Sequence, residues 1–507
     1  MSDDPRRRPP SWDPGPPSPA RRRALAWRTP LAVAALVLYL TWLAQPARIG
    51  NPALYGLLVV AELFNVVHAL GFWWTCARAG HRPHRPVTTR VAVDVLIPVY
   101  GEPVDIVEPT VAAARRLTGA EVRVAVLDDG GSPEIEAMAR RQGARYVRRT
   151  VHRGAKAGNI NHALTTTDAP FVAVFDCDHV PAAEFLERTL GHLEDPGVAL
   201  VQTPQWYANA DRNEVAAAAG AQQELFFGPI SRGRDARGAM FCCGTNMVLR
   251  RSALEAAGGF PEDSVTEDFE LSIRLHEAGW RTAYVAEVLS AGLGPEDMAS
   301  YASQQYRWAR GCLGAIPRIL RARLPLGLRV QYLLSASYFL AGWTVLVYGS
   351  LPVVQILTGA QPVAGATADE FLLRFGPYFA MALAMVAVAG RGSYTFRAFA
   401  LAAASWWIHV RATVAALRRT RGRFVVTPKR GSTGRQPRAV WPSLAAIGVL
   451  VVAIVVGLSR DRSPATLNNV TLAVTHLAIL AAGVAPALRR RPVAAAATAT
   501  TREVAAA

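Results

Sequence analysis

Six apolar runs, in three pairs, bracket a central segment in which short strands alternate with helices. The runs cover residues 31–47 and 54–75, then 330–357 and 371–389, then 441–458 and 467–488. A stretch of about 20 apolar residues spans a bilayer, and the first run qualifies with help from its flanks. The resulting plan is two transmembrane helices in 29–76, a domain in 91–312, two helices in 330–389 and two in 441–488. The 507 residues are enough for one such domain and about six spans, and the 51% hydrophobic content fits that division better than a soluble enzyme.

The net charge is +17. Lys and Arg do not spread over a soluble face, which argues against nucleic acid as a partner. They cluster around residues 6–8, 21–23, 418–423 and 489–491, beside the apolar runs, as in cytoplasmic loops. That pattern puts both termini and the central domain in the cytosol of a multi-pass plasma-membrane protein in contact with membrane lipid. The linker carrying Asp369 and Glu370 is then external. Residues 1–28 are rich in Pro and Arg and are expected to be a disordered basic tail; 78–90 is a basic linker, and 489–507 a low-complexity tail.

Two amphipathic stretches are expected to lie in the membrane interface. One is 313–326. The other is 396–417, inside a cytosolic segment 391–440, because Arg397, His409 and Arg411 would be costly in a span. Five cysteines without a CxxC pair or zinc spacing suit a reducing compartment. No cleavable signal peptide is expected.

Within the domain, strands predicted at 91–99, 122–127 and 171–175 alternate with helices, which implies a parallel α/β sheet with ligands beyond the strand carboxyl ends. Both acidic clusters sit at such ends. Asp176 and Asp178, in DCDH, suit a hard divalent ion such as Mg²⁺ or Mn²⁺, with His179 as a further ligand; an ordinary acidic turn would look the same. Asp128 and Asp129, in LDDGG, precede glycines that allow close backbone approach, and could grip a nucleobase or ribose or form a tight turn. Lys156 could offer a point charge to phosphate or be a solvated loop lysine.

Glu267 and Asp268, in TED, start a helix that Thr266 is expected to cap. A carboxylate there has a lowered pKa unless burial or other acids raise it, as a general base requires. Gln304 and Arg307, in QQYRW, share a helix face and could meet one anionic ligand, while Trp308 offers a flat surface to a sugar ring. An interfacial Trp–Arg pair is the alternative.

Together with IPVYGEP at 97–103, AKAGNINHAL at 155–164, QTP at 202–204, FCCG at 241–244 and FVVTPK at 424–429, these motifs resemble the processive family-2 glycosyltransferases, bacterial cellulose synthase catalytic subunits above all. The resemblance runs from about residue 93 to 429 and through the last two spans. It implies a GT-A fold, a mixed-sheet nucleotide-sugar-binding domain, and an inverting transfer from a UDP-sugar to a growing polysaccharide. UDP-glucose giving a β-1,4-glucan is the first choice. Tyr100, Glu102, Asp128, Asp129, Lys156, Asp176 and Arg307 would then bind donor. Asp178 and His179 would hold the metal, and Asp268 would be the base. Cys243, Gly244, Glu267, Gln304 and Trp308 would meet the acceptor end. Phe424, Val426, Thr427 and Lys429 would form a gating loop.

Three departures stand out. Gly101 stands where an Asn is frequent, only two spans precede the domain, and no PilZ domain is read after the last span, so regulation by cyclic di-GMP within this chain is not expected, while accessory export or regulatory subunits could act on it. Two other activities share many of these motifs: addition of a single sugar to a lipid carrier, and synthesis of a mannan, chitin-like or hyaluronan-like polymer. A transporter with a dead transferase domain would have lost Asp176, Asp178 or Asp268, and all three are present.

Overall fold

The computed structural model describes residues 15, 17–418 and 434–489. The FVVTPK motif, with Phe424, Val426, Thr427 and Lys429, lies outside the described residues. Ten strands build the central domain: β1 (Ala92–Val99), β2 (Glu121–Asp128), β3 (Arg145–Val147), β4 (Phe171–Val174), β5 (Val180–Pro181), β6 (Val198–Gln202), β7 (Trp206–Tyr207), β8 (Met247–Arg250), β9 (Arg281–Tyr284) and β10 (Ser290–Gly292). Seven of them form one sheet in the order β3-β2-β1-β4-β8-β6-β9, and the other three a small sheet, β5-β10-β7.

The expected parallel pairing holds from β3 through β4 and fails at β8, which is antiparallel to both β4 and β6. The reason is local. β8 follows directly on the FCCG turn rather than on a crossover helix, so it starts at the edge where β4 ends. Val174 pairs with Met247 and Phe171 with Arg250. The outcome is the mixed sheet that the resemblance implies.

β1 is buried on both faces, as its apolar run requires. Val93, Val95, Ile97 and Val99 join one core and Leu96 the other. β2 lies on one side of β1 and β4 on the other, with Val99 opposite Asp128 and Leu96 opposite Val174. The carboxyl ends of all three strands therefore share an edge at the point where the sheet changes direction, the usual ligand crevice of such folds.

Among the described residues, six helical segments are long and apolar enough to cross a membrane: Pro19–Leu43, Pro52–Cys76, Leu326–Thr358, Asp369–Gly390, Pro437–Arg460 and Pro464–Leu488. The stretch expected at the interface, 396–417, forms two helices, Phe396–Ala404 and Trp406–Leu417, bent by 45°. Two expectations need correction. The first helix begins at Pro19, inside the segment read as a disordered tail, because Ser18 Oγ accepts from Arg21 N and proline suits the first turn. The helix expected to start at 313 is part of one continuous helix, Met298–Arg321, that carries QQYRW. Gly311 marks a close approach and no break: a Cβ there would lie 2.3 Å from Thr266 Cγ2.

Buried polar contacts join the domain to the membrane helices. His276, in the helix Glu267–Glu277, lies 2.7 Å from Tyr332 Oη and 3.2 Å from Thr282 Oγ1. Thr282 spends its proton on Met240 O, so His276 Nε2 donates to Thr282 and Nδ1 accepts from Tyr332. The ring is neutral in this arrangement. Burial, then the charge of Arg234, holds its pKa down at about 4. The unfolded chain, with an ordinary imidazole, takes up a proton well above that pH. The contribution to stability is therefore complete above the ordinary value and is lost as pH falls toward about 4. The wild type should lose about 2 kcal/mol more stability between pH 7 and pH 5 than His276→Gln. Thermal unfolding of the detergent-solubilised proteins across that range checks this, and parallel pH curves would remove His276 as the cause.

Candidate active site

The loop after β2 is internally braced. Asp128 is fully buried: Oδ1 accepts from Gly130 N at 2.8 Å, and Oδ2 from Ser132 N at 2.7 Å and Tyr146 Oη at 3.0 Å. Its carboxylate shapes the turn. Asp129 makes a two-pronged ion pair with Arg149, at 2.7 and 2.6 Å, and His152 Nδ1 lies 3.6 Å away. Glu102 turns back to accept from Tyr100 N at 2.6 Å, which leaves the Tyr100 ring exposed at this rim.

Past β4 the backbone turns so that His179 N bonds Asp176 O. Asp176, Asp178 and His179 then each offer a ligand atom within 4.8 Å of one another. Asp178 and His179 are buried, 3.4 Å apart, and Asp178 Oδ2 also accepts from Leu293 N at 3.3 Å. The imidazole packs on Gly292, where a Cβ would lie 2.3 Å from Cε1. His179 Nε2 is buried with no hydrogen-bond partner among the described residues. Two carboxylates with an imidazole whose second ring nitrogen is buried without a partner are a donor set that fits a divalent cation.

Lys156 leaves the first turn of the helix Ala155–Leu164 and donates to Asp176 Oδ1 and, at 2.7 Å, to Gly244 O. The FCCG loop is fixed beside it: Cys242 N donates to Ser272 Oγ, Cys243 N to Gln202 Oε1, and Gln205 Nε2 to Cys243 O. Thr245 Oγ1 accepts from Asp176 N at 2.8 Å. Gly244 has φ +83°, and a Cβ on it would lie 3.0 Å from Asp268 Oδ2 and 3.7 Å from Lys156 Nζ. The carboxylate of TED and the lysine therefore both approach one residue without a side chain.

Thr266 does not cap its helix as expected. Its Oγ1 is buried without a partner, and Asp268 Oδ1 accepts from Phe269 N instead. The close packing of Gly311 pulls Thr266 away from the cap. Burial raises the pKa of both acids, and the neighbouring Asp268 raises that of Glu267 further; Lys156 and Arg307 offset part of this. Arg307 thus acts on the same carboxylates. On its helix, Gln304 Nε2 reaches Tyr207 Oη at 3.5 Å. Trp308 packs with Phe339 and Ala412 beside the membrane helices.

DCDH, Lys156, Gly244, TED and Arg307 therefore meet in one place. Asp128 and Asp129 stand at the end of β2, beyond β1 on the same sheet edge. Residue type alone does not mark Arg149, Gln202 and Thr245, whose roles depend on contacts far apart in sequence; for Gln202, membership of QTP is the available signal. Replacing Asp178 by Asn or His179 by Ala should weaken Mn²⁺ binding by about tenfold or more. Electron paramagnetic titration of free Mn²⁺ checks this, and unchanged affinity in both variants would exclude the site.

Residues 171–390 match the family described as Glycosyl transferase family group 2. The chain is 33% identical to cellulose synthase 2 of Novacetimonas hansenii over 87% of its own length and 30% of that protein. It is 33% identical to the cellulose synthase catalytic subunit [UDP-forming] of Pseudomonas fluorescens over 79% of its length and 57% of that protein. It therefore spans well under two thirds of these relatives. Among solved structures, it is similar to a mannosyltransferase from Pyrobaculum calidifontis in complex with GDP-Man and Mn²⁺, with a TM-score of 0.52, 18% identity, and coverage of 72% of this chain and 99% of that one. That likeness supports the GT-A fold. The chain thus carries a family-2 glycosyltransferase domain of the GT-A fold among membrane helices, and it is similar to the catalytic subunits of bacterial cellulose synthases.

Proposed function

We propose that the chain is an inverting transferase that polymerises sugar from a UDP-sugar, UDP-glucose in the first place, into a β-1,4-linked chain and passes the product across the plasma membrane. The observation that carries this is the cluster at Gly244: Asp268 and Lys156 both lie against a residue with no side chain, which leaves the space beside them open. A base that takes the proton of the acceptor hydroxyl and a cation that meets the departing diphosphate must both border the place of one sugar carbon.

In this reading, Asp268 takes the proton of the acceptor hydroxyl as its oxygen attacks C1. The bond from C1 to the diphosphate oxygen breaks on the far side, and the electron pair leaves with UDP. Burial, which raises the Asp268 pKa, brings it closer to a base's working range. Lys156 and Arg307 meet the charge that develops on the diphosphate, helped by Asp176, which orients Lys156. Asp178 and His179 would hold the divalent ion, Mg²⁺ or Mn²⁺, which when bound neutralises the leaving diphosphate. Tyr100, Glu102, Asp128 and Asp129 form the base and ribose end. Cys243, Gly244, Glu267, Gln304 and Trp308 receive the acceptor sugar.

The activity test uses inverted membrane vesicles with Mg²⁺ and labelled UDP-glucose, UDP-GlcNAc or GDP-mannose. A large product from UDP-glucose that a β-1,4-glucanase degrades is expected. A small lipid-soluble product, or polymer only from another donor, would overturn it. Asp268→Asn should cut turnover by about 10³-fold with UDP affinity nearly unchanged; turnover near wild type would exclude Asp268 as the base. Gly244→Ala places a methyl 3.0 Å from Asp268 Oδ2 in a left-handed conformation, and should lower the rate by about 100-fold. Single-turnover kinetics check it, and a rate within about twofold of wild type would show that the acceptor does not occupy this gap.

A further inference from the structure

We infer that Arg149 is a positioning residue for the donor, setting the place of the diphosphate through Lys156. The inference rests on Lys156 being the cation that meets the diphosphate. Arg149 follows β3 and is buried, 6% exposed. Its guanidinium makes a fork onto Asp129, at 2.7 and 2.6 Å, and also donates from Nη2 to Ala155 O at 2.9 Å and from Nη1 to Arg153 O. One side chain therefore ties the acidic loop after β2 to the turn that launches Lys156.

That turn needs tying. Gly154 and Ala155 are consecutive left-handed residues, with φ +75° and +45°. The conformation suits glycine and strains an alanine, so it persists where the surroundings enforce it. Arg149 holds the carbonyl of that alanine. Gly158, one turn on, completes the seat: a Cβ there would fall 2.6 Å from Arg149 Nη1 and 2.0 Å from Arg153 O. The helix Ala155–Leu164 thus rests directly on the guanidinium, and Lys156, next to the strained alanine, reaches Asp176 and Gly244. A lysine at 149 would keep the charge and lose the fork, because one ammonium cannot span Asp129 and the turn carbonyls in the same geometry.

The test compares UDP with uridine as ligands of the full chain in detergent with Mn²⁺, by calorimetry. The ratio of the two affinities reports the diphosphate's contribution. Lys156→Ala should lower that ratio by about tenfold or more; a ratio left intact would refute the role of Lys156 itself. Arg149→Lys should also lower the ratio about tenfold. The double variant should lose little beyond either single one, because both act on one interaction. Losses that add, or equal weakening of UDP and uridine by Arg149→Lys, would overturn the inference while leaving the role of Lys156 standing. If Arg149→Lys does not fold, Asp129→Asn keeps the shape and removes half of the fork. It should lower the UDP-to-uridine ratio, and an unchanged ratio overturns the inference.

Discussion

An ammonium group among carboxylates organises this site. Burial works against the charge on Lys156, but Asp176, Glu267 and Asp268 outweigh it, and its pKa stands above the ordinary lysine value. The same charge restrains the two acids of TED, whose pKa values burial raises. Without a cation there, the three carboxylates would repel one another across the crevice. Lys156 also bonds the carbonyl of Gly244, so the charge balance of the site and the position of the FCCG loop depend on one side chain. β8 makes the arrangement possible. By running antiparallel to β4, it brings Thr245 to Asp176 N and sets the loop before it at the shared strand edge.

Much of this was legible in the sequence because it rests on local periodicity. Apolar runs mark the spans, and a carboxylate after an apolar strand marks the carboxyl edge of a sheet. The DCDH cluster lies within a four-residue turn, so residue type and spacing were sufficient to mark it as a candidate ligand set. Where the reading failed, the cause was a contact across the fold. Thr266 carries a capping side chain in a capping position, yet Gly311, 45 residues later, presses on it. Gly311 itself resembles a helix break and serves as a packing surface. Arg149 reads as one of many basic loop residues until Asp129 and Ala155 are seen beside it. The start at Pro19 was the exception: the Ser-Pro signal was local and present, but composition alone set the boundary of the tail.

The domain is mounted on the membrane helices by a buried cation that has no carboxylate partner among the described residues. Arg234 is 1% exposed. Its Nε donates to Ala239 O and its Nη1 to Gln331 O and Ser335 Oγ. The guanidinium carbon lies 4.5 Å from the Phe241 ring centroid and 5.9 Å from that of Tyr332. Gln331 continues the chain of contacts to Thr75 at 2.8 Å. Aromatic faces and carbonyls hold a buried cation less strongly than an ion pair does, but they orient it in several directions at once.

That difference has a structural consequence for the reacting groups. Phe241 begins the loop that ends at Gly244, so Arg234 fixes the FCCG side of the crevice to the helix Leu326–Ser337. His276 fixes the far end of the TED helix to the same membrane helix through Tyr332. The QQYRW helix closes the third side, with Gly311 against Thr266. Gly244, Asp268 and Arg307 thus belong to three elements, each packed on the next or on the first helix beyond the domain. In a site where a displacement of about 1 Å can cost 100-fold in rate, such a mount keeps these three groups in register with the membrane helices. The acidic groups of LDDGG and DCDH are placed separately, from the strand ends of the sheet. The two halves meet where Lys156 touches both Asp176 and Gly244, which is where sugar transfer would occur.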